Sequence, residues 1–144
     1  MRRLVLPLLL VLIASSASAE VALGPRLGLM DNNEVFLGVQ AEFSPIFRRA
    51  SVVLDADFGL GSSKPNLIDL GLRIPLIPLP ETGLMFYGQA GPTWMVSPDS
   101  EFGMNVGLGL IVPMKEGRRY NFEYRWGFGD IPEHRVSVAV IFGL

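Results

Sequence analysis

The feature that most constrains this chain is an alternation between two kinds of side chain, which begins near residue 21 and continues to residue 144. One set of alternate positions carries large apolar side chains, as at Leu70, Leu72 and Ile74. The positions between them carry mostly glycine and polar or charged residues, as at Gly71 and Arg73. Because successive side chains of a β-strand point to opposite faces, this period of two predicts strands with one apolar and one polar face.

Short segments rich in Asp, Asn, Ser, Pro and Gly interrupt the alternation, and such segments are typical of turns. They divide the chain into eight runs of about 10 to 13 residues, and a tilted strand of roughly 9 to 11 residues is long enough to cross a bilayer. The short connections predict an all-β fold of eight antiparallel strands in up-and-down order. The predicted strands are Val21–Met30, Val35–Pro45, Ser51–Gly61, Leu67–Leu76, Leu84–Val96, Phe102–Val112, Arg119–Phe128 and His134–Leu144.

The polar face holds twelve of the sixteen glycines of the chain, interleaved with arginine and carboxylate side chains. A water-facing strand surface has no reason to collect glycine, which weakens a strand. A closed barrel of eight strands has an interior just wide enough for side chains, so large ionic groups fit there only beside very small residues. We therefore predict that the polar face lines the lumen, that the apolar face contacts lipid, and that the fold is a transmembrane β-barrel.

Nine charged residues of the polar face are predicted to form a network inside the lumen. Four of them are arginines and five are carboxylates, so most of the charges can pair, and a lone charge away from water is costly. We interpret the network as structural, filling the lumen and fixing the strand register; the alternative interpretation is a path for protons or ions. Its members are Arg26, Glu42, Asp55, Asp57, Asp69, Arg73, Glu123, Arg125 and Arg135.

Residues 1–19 have the order of regions found in a secretory signal peptide. Arg2 and Arg3 are basic, residues 4–13 are apolar, and Ala17-Ser18-Ala19 is a small-x-small cleavage site. The apolar run is too short for a spanning helix, which needs about 20 residues. We predict cleavage after Ala19 and a barrel domain over residues 20–144; the alternative is an ordinary buried N-terminal helix.

Composition argues against several classes of site. The chain has no cysteine, which excludes disulfides and thiolate metal centres, and its charges are scattered with a formal net charge of −2, which gives no support for nucleic-acid binding. We predict no cofactor and no metal. Asp55 and Asp57 lie two residues apart on one face and, by topology, near Asp69, a spacing that could hold a divalent cation; pairing with arginine is the favoured interpretation.

His134 is the single histidine. It begins the predicted eighth strand, next to Glu133 and Asp130 of the preceding outer turn. Together with Ser97 or Ser100 it could form the Ser–His–acid arrangement of a hydrolase, although no motif links these residues. A solvent-exposed histidine without a chemical role is the favoured interpretation. The sequence therefore favours a protein that is not an enzyme.

Two further patterns carry structural predictions. Aromatic residues fall near strand ends, which is typical of the aromatic belts at both surfaces of a membrane barrel. Pro25 and Pro92 lie inside predicted strands, where each removes a backbone N–H that a closed barrel needs. We expect β-bulges at these two prolines.

The segments 102–110 and 121–126, together with the closing alternation from Val136 to Leu144, resemble the small outer-membrane β-barrels of the OmpA/OmpX type. The resemblance implies an outer-membrane location in a Gram-negative bacterium, contact with lipopolysaccharide and phospholipid, insertion by the outer-membrane assembly machinery, and a monomer. We carry three hypotheses for function. The first is a structural or interaction barrel, the second an enzyme that acylates or deacylates lipopolysaccharide, and the third a soluble periplasmic barrel with an apolar ligand at its centre, which the glycine distribution disfavours.

Because the number of strands is even, the N-terminus and the C-terminus of the barrel lie on the same side of the membrane, which in this class is the periplasm. The turns at 31–34, 62–66, 97–101 and 129–133 are then predicted to face outward, and those at 47–50, 77–83 and 114–118 to face the periplasm. The outward turns are acidic, with Lys64 as their one basic residue, whereas the periplasmic turns are mainly basic.

Overall fold

The computed structural model describes residues 20–31, 33–47, 49–61 and 64–144, so the predicted signal peptide lies outside the described residues. Each observed strand begins within one residue of its predicted start and ends within three of its predicted end. No helix in the part of the chain that the structure describes is long and apolar enough to cross a membrane. The strands are β1 (Glu20–Met30), β2 (Glu34–Phe47), β3 (Ala50–Gly59), β4 (Asn66–Leu79), β5 (Leu84–Ser97), β6 (Glu101–Pro113), β7 (Arg118–Gly129) and β8 (His134–Gly143).

The eight strands form one closed barrel in the order of the sequence, and β8 pairs with β1 to complete it. Every neighbouring pair is antiparallel. We call the end at which β1 begins and β8 ends the proximal rim, and the opposite end, with the connections β1–β2, β3–β4, β5–β6 and β7–β8, the distal rim. The predicted fold, an eight-stranded antiparallel up-and-down barrel with short turns, is confirmed.

The predicted assignment of the two strand faces is also correct. Large apolar side chains lie on the outside, where Leu72, Leu108 and Val136 are 46%, 56% and 53% exposed. Ionic side chains lie inside, where Asp69 is 0% and Arg125 1% exposed. This distribution is the reverse of that in a water-soluble barrel, in which burial of apolar side chains supplies most of the stability.

Aromatic side chains add to the outer wall close to each rim. Trp94 and Phe102 are neighbours on adjacent strands near the distal rim, with ring centroids 5.4 Å apart. Both rings are exposed on the outer wall, as are Phe86 and Phe142 toward the proximal rim. These positions suit the two interfaces of a bilayer, where membrane barrels carry belts of aromatic residues.

The prediction of β-bulges at Pro25 and Pro92 is wrong. The register of β1 against β2 and of β5 against β6 runs through both prolines without a shift. Instead, both prolines follow glycine, and the backbone of the next strand comes very close to that glycine: a Cβ added to Gly24 would lie 1.7 Å from the Val140 carbonyl oxygen, and one added to Gly91 would lie 1.9 Å from that of Leu70. Glycine thus lets the strand pass its neighbour closely where proline cannot donate a hydrogen bond.

The register shifts lie elsewhere, and one of them lengthens a hairpin. The pairing of β4 with β5 shifts between Pro75 and Ile77, so Leu76 has no partner across the ladder. After this bulge β4 continues to Leu79, three residues beyond its predicted end. The bulge changes which residues face outward, and for this reason the alternation at the end of β4 did not reveal the extra residues.

Candidate functional site in the barrel lumen

The lumen contains two pairs of like charges that lie side by side on neighbouring strands. Asp55 and Asp69 are directly opposite in the β3–β4 ladder, and Arg125 and Arg135 are directly opposite in the β7–β8 ladder. On an isolated sheet each pair would be destabilising. In a ring of eight strands, however, β3–β4 and β7–β8 occupy opposite walls. The two aspartates therefore face the two arginines across the lumen.

The arginines cross the lumen to the carboxylates. Arg125 forms an ion pair with Asp55 and lies 3.3 Å from Asp69. Arg135 binds Asp69 through both terminal nitrogens, at 2.6 and 2.9 Å. Thr93 also donates to Asp69, so this carboxylate is held from two sides. Charge-assisted contacts of this kind are the strong ones, and they join opposite walls of the barrel.

Arg26 of β1 binds the remaining carboxylates on the distal half of β3. Its Nη1 lies 2.7 Å from Asp55 and its Nε lies 3.3 Å from Asp57. A hydrogen bond of 2.9 Å joins its other terminal nitrogen to Ser137 on the neighbouring strand β8. Among the described residues, Asp57 has only longer contacts, from Arg26 and from Arg135 at 3.5 Å.

Glu123 links this distal group of charges to a proximal one. It accepts from Arg125 at 2.5 Å, from Tyr87 at 2.8 Å and from Arg73 at 3.2 Å. Arg73 also binds Glu42 at 2.6 Å and stacks over the Tyr87 ring, with 4.1 Å between its guanidinium carbon and the ring centroid. Ionic contacts therefore run continuously along the lumen, from the distal group of charges to the proximal one.

Glycines make the room for these side chains. A Cβ added to Gly109 would lie 2.2 Å from the Tyr87 ring, and one added to Gly38 would lie 2.3 Å from an Asp57 carboxylate oxygen. Neither distance is compatible with an ordinary side chain. The glycine enrichment of the inner face is therefore the complement of its large ionic and aromatic groups, as the sequence predicts.

All nine predicted network residues lie in the lumen, each at most 5% exposed. The sequence reasoning missed a tenth, Arg119, which binds Glu42 at 2.5 Å. Arg119 has the same parity along β7 as Glu123 and Arg125, so the alternation contained the signal. With Arg119 included, five arginines meet five carboxylates and the formal charge of the network is zero.

The sequence reasoning also missed an apolar plug at the distal end of the lumen. Met30, Phe36 and Leu67 pack together there, each at most 1% exposed, with Met95 against them. All three plug residues have inward parity. Their side chains are apolar, like those of the outer face, so residue type does not distinguish them although their parity does. The plug lies on the distal side of the ionic network, where the Arg26 guanidinium is 5.5 Å from the Phe36 ring centroid.

His134 lies outside the lumen, on the outer wall near the distal rim. Its Nδ1 is 2.7 Å from the Tyr124 hydroxyl oxygen and its Nε2 is 3.6 Å from Glu133. Neither Ser97 nor Ser100 shares a hydrogen bond with it. The Ser–His–acid grouping considered from the sequence does not form around this histidine. The three aspartates considered for a cation are paired with arginines instead.

The closed ring of eight strands, the apolar outer wall and the ionic lumen together define the fold of a small transmembrane β-barrel. No protein-family model matches the sequence, and no curated protein matches it. Solved structures do match. The N-terminal β-barrel domain of Pseudomonas aeruginosa OprF has a TM-score of 0.73 at 16% identity, covering 87% of this chain and 97% of that chain.

Two designed proteins have the same fold. A de novo designed transmembrane β-barrel matches with a TM-score of 0.68 at 14% identity, over 87% of this chain and 95% of that chain. The designed protein TMB2.3, solved by NMR in solution, matches with a TM-score of 0.67 at 14% identity, over 88% and 94%. At such low identity the shared property is the architecture of the barrel.

Proposed function

We propose that this chain is an integral outer-membrane protein of a Gram-negative bacterium whose barrel is a closed structural or interaction module and does not form an open pore. One observation carries the proposal: an ionic network that is neutral once Arg119 is included, and whose other nine members are at most 5% exposed, occupies the lumen next to an apolar plug. Eight strands leave an interior that side chains can fill completely. Moving an ion through it would require several buried ion pairs to separate, at a cost of several kcal/mol for each unpaired charge.

The outer wall supports the membrane location. The strands contain 10 to 14 residues, and tilted strands of about 9 to 11 residues span the roughly 30 Å hydrocarbon core. We propose that the wall contacts phospholipid on its proximal half and lipopolysaccharide on its distal half. The chain would be a monomer inserted by the outer-membrane assembly machinery.

The test measures conductance and location together. The full chain, expressed with its N-terminal segment, should fractionate with outer membranes and migrate differently on a detergent gel before and after boiling, since folded barrels resist the detergent. Purified and reconstituted into planar bilayers, it should show no single-channel steps under conditions in which a porin conducts. A steady unitary conductance would contradict the closed lumen, and recovery in the soluble periplasmic fraction would contradict the membrane location.

A further inference from the structure

A cavity of about 480 Å³ lies at the proximal end of the lumen, between the ionic network and the rim. We call it the proximal vestibule. Three arginines line it, Arg49, Arg73 and Arg119, against a single lining carboxylate, Glu42. Because the ten-residue network is already neutral, Arg49 brings a positive charge that the network does not balance.

The vestibule arginines differ in how fully they are used. Arg73 is 2% exposed, and its donors reach Glu42, Glu123 and Gln89. Arg119 is half-buried and binds Glu42 through one terminal nitrogen, while its buried Nε has no hydrogen-bond partner among the described residues. A buried donor without a partner is costly, and an incoming anion would supply an acceptor.

The other wall of the vestibule is apolar. Pro75, Met85 and Ile111 line it, together with Leu76, the residue displaced by the β4 bulge. Leu76 also lines a trough of about 560 Å³ on the lipid-facing wall, beside Phe86 and Leu108. The vestibule therefore offers cationic donors on one side and apolar contact on the other. With the barrel in a bilayer, as proposed above, it also borders the region that acyl chains would occupy.

We propose that the proximal vestibule binds an amphiphile that carries a phosphate on a short apolar chain. Arg119 and Arg49 receive the phosphate, and the wall formed by Pro75, Met85 and Ile111 receives the chain. Arginine suits this task because its planar fork pairs with phosphate oxygens. The same chemistry could come from a membrane phospholipid headgroup or from a free phosphate ester in the periplasm.

The experiment uses the full-length barrel, folded in micelles of dodecyl maltoside, a detergent that contains no phosphate, and hexyl phosphate as the probe. Binding is followed by NMR through the arginine Nε–H signals, with inorganic phosphate and hexanol as matched probes. Hexyl phosphate should bind saturably and shift the Arg119 signal. Inorganic phosphate should bind at least about tenfold more weakly, since each buried methylene is worth about fourfold in affinity, and hexanol should leave the Arg119 signal unshifted.

Three variants test the assignment. Arg49→Gln should weaken hexyl phosphate binding by about fivefold, the scale of one partly exposed ion pair. Arg118→Gln is the matched control, because Arg118 is exposed on the same rim, pairs with Glu116 and does not line the vestibule; binding should not change. Glu42→Gln should strengthen binding by a similar factor, because it removes the carboxylate that competes for Arg119.

Two outcomes would overturn the proposal. Equal weakening by Arg49→Gln and Arg118→Gln would mean diffuse attraction to a basic rim, and equal affinity for hexyl and inorganic phosphate would remove the role of the apolar wall. A further arm separates the two sources of ligand. If phosphatidylglycerol added to the phosphate-free micelles abolishes hexyl phosphate binding, a lipid headgroup occupies the vestibule; if binding persists, the ligand is a free phosphate ester.

Discussion

At the scale of single residues, the lumen shows how like charges can be placed side by side without penalty. Asp55 and Asp69 are cross-strand neighbours, yet each is held by arginines from the opposite wall. The pairing is therefore a property of the closed ring and has no counterpart in any two-stranded part of it. These charges are paired only when the barrel is closed. The network therefore favours the register in which the two walls face each other.

The network predicts a large effect for Arg125→Leu. Arg125 pairs with Asp55, Asp69 and Glu123, all buried, so removing its charge leaves carboxylates unpaired away from water. We expect a loss of about 3–5 kcal/mol in the free energy of unfolding. Urea unfolding in detergent micelles, followed by tryptophan fluorescence, measures it.

The control for this experiment is Arg118→Leu. The Arg118 side chain is 48% exposed and pairs with Glu116 at the proximal rim. A surface pair of this kind is worth less than about 1 kcal/mol. An equal stability of the Arg125→Leu and Arg118→Leu variants would show that the lumen network does not stabilise the fold.

Alternation alone predicts that the nine network residues share the inner face. Side chains along a strand alternate between its two faces, so a shift of one residue would move every one of them to the other face. Alternation did not identify the plug or Arg119. Phe36 has inward parity but an apolar side chain. Arg119 is the first residue of the predicted strand and the second of β7, directly beside the basic residues of the preceding turn. The parity of each position indicates an inward side chain in both cases. An apolar residue type conceals the plug, and a place next to a basic turn conceals Arg119.

At the scale of the strand, the two Gly-Pro steps replace the bulges expected from the sequence. Proline chemistry correctly indicated a missing donor at Pro25 and Pro92. The sequence could not indicate that the preceding glycine would let the neighbouring strand approach instead of shifting register. This outcome depends on the separation between strands, which only the assembled barrel defines. The actual bulge near Leu76 has an unbroken apolar sequence around it, so no polar residue marked the change of face.

The close approach predicts that Gly24→Ala and Gly91→Ala are strongly destabilising. The added methyl groups would lie 1.7 and 1.9 Å from carbonyl oxygens of the neighbouring backbone, and backbone cannot rotate away as a side chain can. We expect losses of about 3 kcal/mol or more, at the upper end of overpacking costs. The measurement is the urea midpoint of each folded variant, together with the folded fraction on an unboiled gel.

Gly88→Ala provides the comparison, because Gly88 is also a β5 glycine and an added Cβ would meet Leu76 at an ordinary 3.4 Å. Its stability should stay close to that of the unmodified protein. If Gly24→Ala were as well tolerated as Gly88→Ala, the strands would be able to separate at this point, and the proposed reason for the missing bulge would be wrong.

At the scale of the whole molecule, the orientation of the barrel in the membrane can be tested at its two rims. The chain has no cysteine, so single introduced cysteines are unambiguous. Ser100 is exposed at the distal rim and Lys115 at the proximal rim. We expect Ser100→Cys to react with an impermeant maleimide on intact cells, and Lys115→Cys to react only after the outer membrane is permeabilised. The opposite result would place the distal rim in the periplasm.

The neutral interior leaves the electrostatics of the molecule to its ends. The distal rim is negative, with six carboxylates and one lysine, whereas the proximal connections carry an excess of basic residues. The barrel is therefore an electric dipole directed along its own axis, with its poles separated by about 25 Å of apolar wall. A charged surface that attracts one pole repels the other, so the two rims of the folded barrel respond in opposite ways to an anionic membrane surface. The acidic residues at the distal rim are Asp31, Glu34, Asp99, Glu101, Asp130 and Glu133.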